Sequence, residues 1–261
     1  RWVFKLREGL GWRETGVTMS PIDRPSLIGL GRDPKTALIW RPSENGAQLL
    51  QEVSLTDGKQ TAALLDQFPD ALIYDPRNHN LIGYGKTVGD TSPYTFFNPA
   101  DQDAWETVRA SFPGQRVTLR SWSEDRNKVV VRVDSPTDGP AFALVDLTAR
   151  SARWIGTEYP GLKAGDIGKV LALRYPAKDG LELSGYVTLP PGARPANLPL
   201  VVLPHGGPAV RDTAGFDWWA QALASRGYAV LQVNYRGSSG FGRDFMERGF
   251  GEWGRKMQSD L

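Results

Sequence analysis

The residues best suited to chemistry in this 261-residue chain sit in two short loops, each placed directly after an apolar run. The first is Pro204-His205-Gly206-Gly207-Pro208, which follows Leu198–Leu203. Paired glycines let a backbone approach a ligand closely with its N–H groups turned outward. A tetrahedral oxyanion needs such donors at about 3 Å. The same residues also suit a tight strand-to-loop turn in which His205 makes a structural hydrogen bond, and spacing alone leaves both readings open. The second loop, Asn234-Tyr235-Arg236-Gly237-Ser238-Ser239-Gly240-Phe241-Gly242, follows Tyr228–Val233. Its glycines suit a phosphate cradle at a helix start. However, it has neither a lysine nor the GxxxxGK[ST] spacing of a P-loop. Arg236 is equipped to pair with a carboxylate, and a structural partner is expected ahead of a substrate.

Across the whole chain, 31 basic against 29 acidic residues give a net charge of +2, too balanced to suggest a nucleic-acid partner. No apolar run approaches the ~20 residues of a transmembrane helix, so a soluble protein is expected. The compartment is not encoded in any recognisable signal; cytoplasmic and periplasmic settings both fit. Zero cysteines exclude disulfides, thiolate metal sites and a cysteine nucleophile. Two histidines, His79 and His205, exclude a His-rich metal centre.

Residues 1–156 alternate short β-rich runs with turn clusters such as Pro42–Gly46, Asp75–Asn78 and Pro136–Gly139, with almost no convincing amphipathic helix. Val53–Asp57 recurs loosely as Phe97–Asp101 and as Val145–Ala149, at spacings of 44 and 48 residues. A period in the forties with about four strands per unit matches one β-propeller blade. An irregular β-sandwich is the alternative. After residue 156 the pattern changes. Lys169–Tyr175 and Leu181–Leu189 predict a hairpin turning at Asp179-Gly180. Leu198–Leu203 predicts a strand buried on both faces, Phe216–Ala224 a helix stopped by Gly227, and Tyr228–Asn234 a second, parallel strand. Asp244–Leu261 begins a helical segment weakened by Gly249, Gly251 and Gly254. The expected fold class is β plus α/β: a partial β-propeller over 1–156, followed by the N-terminal half of an α/β-hydrolase domain over 157–261.

The stretch Leu200–Gly242, with His-Gly-Gly-Pro followed by Asn-Tyr-Arg-Gly-Ser, resembles the prolyl oligopeptidase family of serine peptidases, in particular its dipeptidyl-peptidase and acylaminoacyl-peptidase branches. That resemblance implies a β-propeller joined to a C-terminal α/β-hydrolase domain and Ser-His-Asp acyl transfer on short peptides. It needs no metal or organic cofactor. It implies that the N–H of Gly207 holds the oxyanion. His205 is a secondary candidate, because other branches place a tyrosine side chain there. Arg236 carries over as a loop-organising residue, and Glu44, Glu52 and Glu158 are possible anchors for a substrate amino terminus. The hydrolase nucleophile motif G-x-S-x-G is absent, and no histidine follows His205. Ser238 or Ser239 paired with His205 would reverse the family's chain order. The expectation is therefore an internal piece of such a peptidase, ending before the nucleophile, inactive alone and left with an unpaired strand edge. A different α/β-hydrolase such as an esterase, or a non-catalytic binding protein, are the alternatives.

Overall fold

Antiparallel hairpins account for most of the chain. The computed structural model describes residues 1–19, 24–42, 48–65, 69–87, 91, 93–135, 138–207 and 209–261. Two compact units emerge: Arg1–Thr87 with Ser92–Asp103, and Val88–Thr91 with Ala104–Leu261.

In the first unit β1 (Trp2–Glu8) and β2 (Gly11–Thr18) form a hairpin. Next, β3 (Ser26–Leu30), β4 (Thr36–Pro42), β5 (Gln48–Ser54) and β6 (Gln60–Leu65) pair antiparallel in chain order. β7 (Ala71–Tyr74), β8 (Leu81–Gly85) and β9 (Tyr94–Phe96) make a three-stranded meander. Leu38, Leu50 and Leu81 are buried together, and Ile28, Trp40 and Leu72 pack against them. Of the predicted turn clusters, residues 43–46 of Pro42–Gly46 and 136–137 of Pro136–Gly139 lie outside the described residues, while Asp75–Asn78 falls between β7 and β8. His79 occupies one such turn, exposed and at φ 59°, with its N–H donating to the Asp75 carbonyl at 2.9 Å.

One expectation needs correcting. Phe97–Asp101, a member of the strand-to-turn repeat, leads into a helix, α1 (Pro99–Ala110), in a region where almost none is expected. Asn98 caps it: its side-chain oxygen accepts from the Ala100 N–H at 2.9 Å, and Pro99 takes the first turn, where its missing N–H costs nothing. Trp105, Val108 and Phe112 are buried at i, i+3 and i+7.

The second unit contains β10 (Arg116–Trp122), β11 (Lys128–Ser135), β12 (Gly139–Asp146) and β13 (Ser151–Thr157), again antiparallel in chain order. Val129, Val131 and Val133 are fully buried along one face of β11. A mixed sheet follows, built from β14 (Val170–Pro176), β15 (Glu182–Thr188), β16 (Leu200–Val202) and β17 (Ala229–Asn234) in the order β14-β15-β17-β16. The β14–β15 hairpin turns at Asp179-Gly180 as expected, with Gly180 at φ 83°. β16 and β17 are parallel.

A second correction concerns β16. Its apolar run predicts burial on both faces, yet Leu200 is 57% and Val202 38% exposed. The strand is three residues long and lies at the edge of its sheet, and α2 packs chiefly over β17 and β15. β17 is the buried one. α2 (Trp218–Ala224) starts at Asp217, whose carboxylate accepts from the Ala220 N–H at 2.8 Å. It buries Ala220 and Ala224 against Val230, while Trp219 of the expected apolar face is half exposed. Glycines at 249, 251 and 254 divide the remainder into α3 (Arg243–Glu247) and α4 (Lys256–Ser259). Among the described residues no helix is long and apolar enough to cross a membrane.

Candidate functional site

Parallel pairing of β16 with β17 brings the loops after both strands to the same edge of the sheet, the position where open α/β sheets hold ligands. Tyr235 directs its ring onto the His205 imidazole, with centroids 4.4 Å apart and planes 16° from parallel. The Tyr235 hydroxyl donates to the His205 carbonyl at 2.7 Å. His205 Nε2 lies 3.0 Å from Ser238 Oγ, and Nδ1 lies 2.9 Å from the Gly206 carbonyl oxygen. Face, edge and backbone of His205 are thus all held by residues of the two loops.

Gly206 and Gly207 are exposed. Gly207 adopts φ 116°, which a side chain rarely tolerates, and a Cβ there would lie 2.7 Å from Val210 Cγ2. Among the described residues the Gly207 N–H has no hydrogen-bond partner. Pro208 lies outside the described residues. Beside the glycines is a cavity of about 350 Å³, lined by His205, Gly207, Tyr235, Trp253, Met257 and Leu261. A larger, mostly apolar cavity of about 670 Å³ lies among Tyr159, Phe216 and Trp218 and includes neither motif.

Arg236 is buried, with 5% of its side chain exposed. Its Nε and Nη2 donate to Asp260 at 2.8 and 2.7 Å, and its Nη1 and Nη2 donate to Asp179 at 2.9 Å each. Its backbone N–H also donates to Asp260, at 3.0 Å. Most of the guanidinium's donors are therefore committed within the fold. Asp260 precedes the last residue of the chain and Asp179 sits in the β14–β15 turn, so one side chain joins three segments. Hydrogen bonds to Asp260, then to Asp179, hold the guanidinium's pKa above its ordinary value. Bonding to Arg236 holds the Asp179 carboxyl well below the usual carboxylate range.

Asn234, fully buried, ties the loop after β17 to the segment around Asp212. Its side-chain oxygen accepts from the Asp212 N–H at 2.8 Å, and its amide donates to the Asp212 carbonyl at 3.3 Å. Gln232 donates to Asp212 Oδ1 at 3.2 Å. Burial pushes the Asp212 carboxyl up, the charge of His205 draws it back, and Asp217 repels it upward again.

The structure brings His205 and Ser238 together, a contact the reversed chain order argues against for a triad. Ser238 has no exposed surface and sits 2.6 Å from the Tyr235 carbonyl, so no substrate can reach its hydroxyl. The loop can offer a backbone N–H to a negatively charged oxygen; it presents no accessible nucleophile–base pair among the described residues. Glu52, 4% exposed, accepts from the Arg32 side chain at 2.8 Å, and Glu158 accepts from Arg132 at 2.5 Å. Both carboxylates are already matched by cations. Glu44 lies outside the described residues. Asp179, Asp212 and Asp260 carry no motif that sequence reasoning could seize, since each is an isolated acid until the sheet assembles.

Comparison with known proteins bears on these motifs. Residues 214–261 match the prolyl oligopeptidase family. Dipeptidyl aminopeptidase BIII of Pseudoxanthomonas mexicana is 32% identical over 251 residues, which cover 89% of this chain and 35% of that enzyme. A puromycin-hydrolysing peptidase of Mycobacterium tuberculosis superposes with a TM-score of 0.60 at 22% identity, over 97% of this chain and 40% of that one. The acylaminoacyl peptidase of Pyrococcus horikoshii gives a TM-score of 0.61 at 18% identity, over 99% and 39% respectively. This chain thus spans about a third of the length of that enzyme and about two-fifths of each of these structures. In its two loop motifs, in its family match over residues 214–261 and in the relatives it matches, this chain is similar to the prolyl oligopeptidase family of serine peptidases.

Proposed function

We propose that the chain is part of a serine peptidase that hydrolyses short peptides by Ser-His-Asp acyl transfer, with the triad lying outside these residues. The observation that carries this reading is the Gly206-Gly207 turn. It is exposed at the carboxyl end of β16, gripped through His205 and beside a cavity large enough for a small side chain. In this reading the Gly207 N–H stabilises the oxyanion of the tetrahedral intermediate; His205, the secondary candidate, has both ring nitrogens engaged with Gly206 and Ser238 and holds the loop instead, and Arg236 organises the loop beside it.

Sheets β3–β6, β7–β9 and β10–β13 are the blades of a propeller over 1–156 that restricts access to small peptides. In support, Val53–Asp57, Phe97–Asp101 and Val145–Ala149 each begin at or just beyond the third strand of a sheet. Residues 157–261 are the first half of the hydrolase domain, and the exposed edge of β16 is where its sheet continues.

The test uses the intact protein from its source. Short peptide amides and matched esters are assayed, and the reactive serine is labelled with a fluorophosphonate and mapped. Peptide hydrolysis with the label on a serine outside this chain is the expected result. Ester turnover without peptide turnover would make it an esterase, and neither activity nor label would leave a binding protein.

A further inference from the structure

We infer that Ser238 is a positioning residue: its buried hydroxyl, acting through the His205 imidazole, sets the plane of the 206–207 peptide and so the direction of the Gly207 N–H. The inference rests on the oxyanion reading of Gly207.

The chain of contacts can be followed atom by atom. Gly206 O lies 2.9 Å from His205 Nδ1, and a carbonyl only accepts, so the neutral ring carries its proton on Nδ1. The Ser238 hydroxyl lies 3.0 Å from Nε2 and 2.6 Å from the Tyr235 carbonyl, to which it donates, so its one proton serves both acceptors and holds the far edge of the ring.

The carbonyl of Gly206 and the N–H of Gly207 belong to one planar trans peptide and point in opposite directions. Fixing the oxygen against Nδ1 therefore fixes the N–H on the other side. Gly206 contributes no restraint of its own, since nothing lies within 4 Å of the place its Cβ would take. Without a tether, two adjacent glycines would let this peptide rotate. Ser238 is itself anchored by its N–H to the Tyr235 carbonyl at 3.0 Å and has no exposed surface. It acts on the reaction only through His205.

The experiment is a double-mutant cycle in the intact protein, with Ser238→Ala, His205→Ala and both together, read as kcat and KM on a short peptide amide. Losing an oxyanion donor outright costs about 10²–10³-fold, so losing its alignment should cost about tenfold in kcat. KM should move less than twofold, and Ser238→Thr, which keeps the hydroxyl, should recover most of the rate. In the His205→Ala background Ser238→Ala should change nothing further. An unchanged kcat in Ser238→Ala, or the same loss with and without His205, overturns the inference. If the intact wild-type protein hydrolyses no peptide, the peptidase reading falls on its own. The positioning role is then decided by the crystal structure of the Ser238→Ala protein. A rotated 206–207 peptide supports it and an unmoved one overturns it. Ser238→Thr also covers the case in which Ser238→Ala does not fold.

Discussion

The two loops at the carboxyl edge of the mixed sheet are held in opposite ways. The loop after β17 is buried from Tyr235 to Ser238 and pinned by ion pairs from Arg236 to Asp179 and Asp260. The loop after β16 is exposed at both glycines and depends on its neighbour: on the ring and hydroxyl of Tyr235, and on Ser238. The rigid loop is the template and the glycine loop is the part placed by it. Backbone N–H groups left open for a ligand cannot also be used for self-stabilisation, so their geometry has to be borrowed from a firmer element.

Breaking the template should have the largest effect. Arg236→Met leaves the Asp260 carboxylate, 0% exposed, without its partner, and removing one member of a buried pair costs about 3–5 kcal/mol. Denaturant unfolding of the intact protein measures this. Arg236→Lys should recover little, because an ammonium cannot bond two carboxylates in a fork on each side. A loss under about 1 kcal/mol in Arg236→Met would mean that the ion cluster is not what holds this loop.

The next effect separates the two glycines. Gly207→Ala forces a side chain into φ 116° and against Val210, and should cost about 1–3 kcal/mol. Gly206→Ala meets nothing within 4 Å and should stay within about 0.5 kcal/mol. Thermal melts of the two variants side by side give the answer; equal costs would remove the case that Gly207 is the specialised position.

How much of this could be read beforehand depends on how local the cause is. The Asp179-Gly180 turn, the Gly227 stop and the fractured 244–261 helix were all legible, since each is set by residues adjacent in sequence. α1 was hidden because Asn98-Pro99 reads equally as a turn, and only burial of Trp105 and Val108 makes its apolar stripe visible. β16 misled because a continuous apolar run describes composition, whereas burial depends on what packs over each face of the sheet. The glycine pair and Arg236 were found from residue type. Asp179 and Asp260, the partners that give Arg236 meaning, were not, and Ser238 entered only as one of two serines set against His205 in reversed chain order. Those pairs are 33, 57 and 24 residues apart and meet only through the sheet's register.

A smaller effect tests the borrowed geometry directly. Tyr235→Phe keeps the stacked ring and deletes only the hydroxyl bond to the His205 carbonyl, worth about 1 kcal/mol. The loss should appear in the glycine loop, as faster amide hydrogen exchange at 206–207, with exchange around Arg236 unchanged. Faster exchange in both loops would show that the template depends on the placed loop as well.

The smallest expected effect is a dependence on acid that belongs to the template alone. Asp179 has a folded-state pKa below its unfolded value of 3.8, first because of its bonds to Arg236. Its contribution to stability is therefore complete above about pH 4 and is lost as pH falls through the folded value. The carboxylate is 38% exposed, so solvent and salt screen it, and the contribution is modest. Asp179→Asn should lower Tm slightly at neutral pH and flatten the decline of Tm between pH 4 and 2. Because Arg236 also contacts Asp260, the cluster should loosen at the β14–β15 turn before it releases α4. An acid slope in Asp179→Asn identical to wild type would assign the decline to other paired carboxylates, with Glu52 in the first unit the foremost. Burial raises the Glu52 carboxyl, but its bonds to Arg32 outweigh this and leave it lowered overall. Acid sensitivity would then say nothing about the loops that flank Gly207.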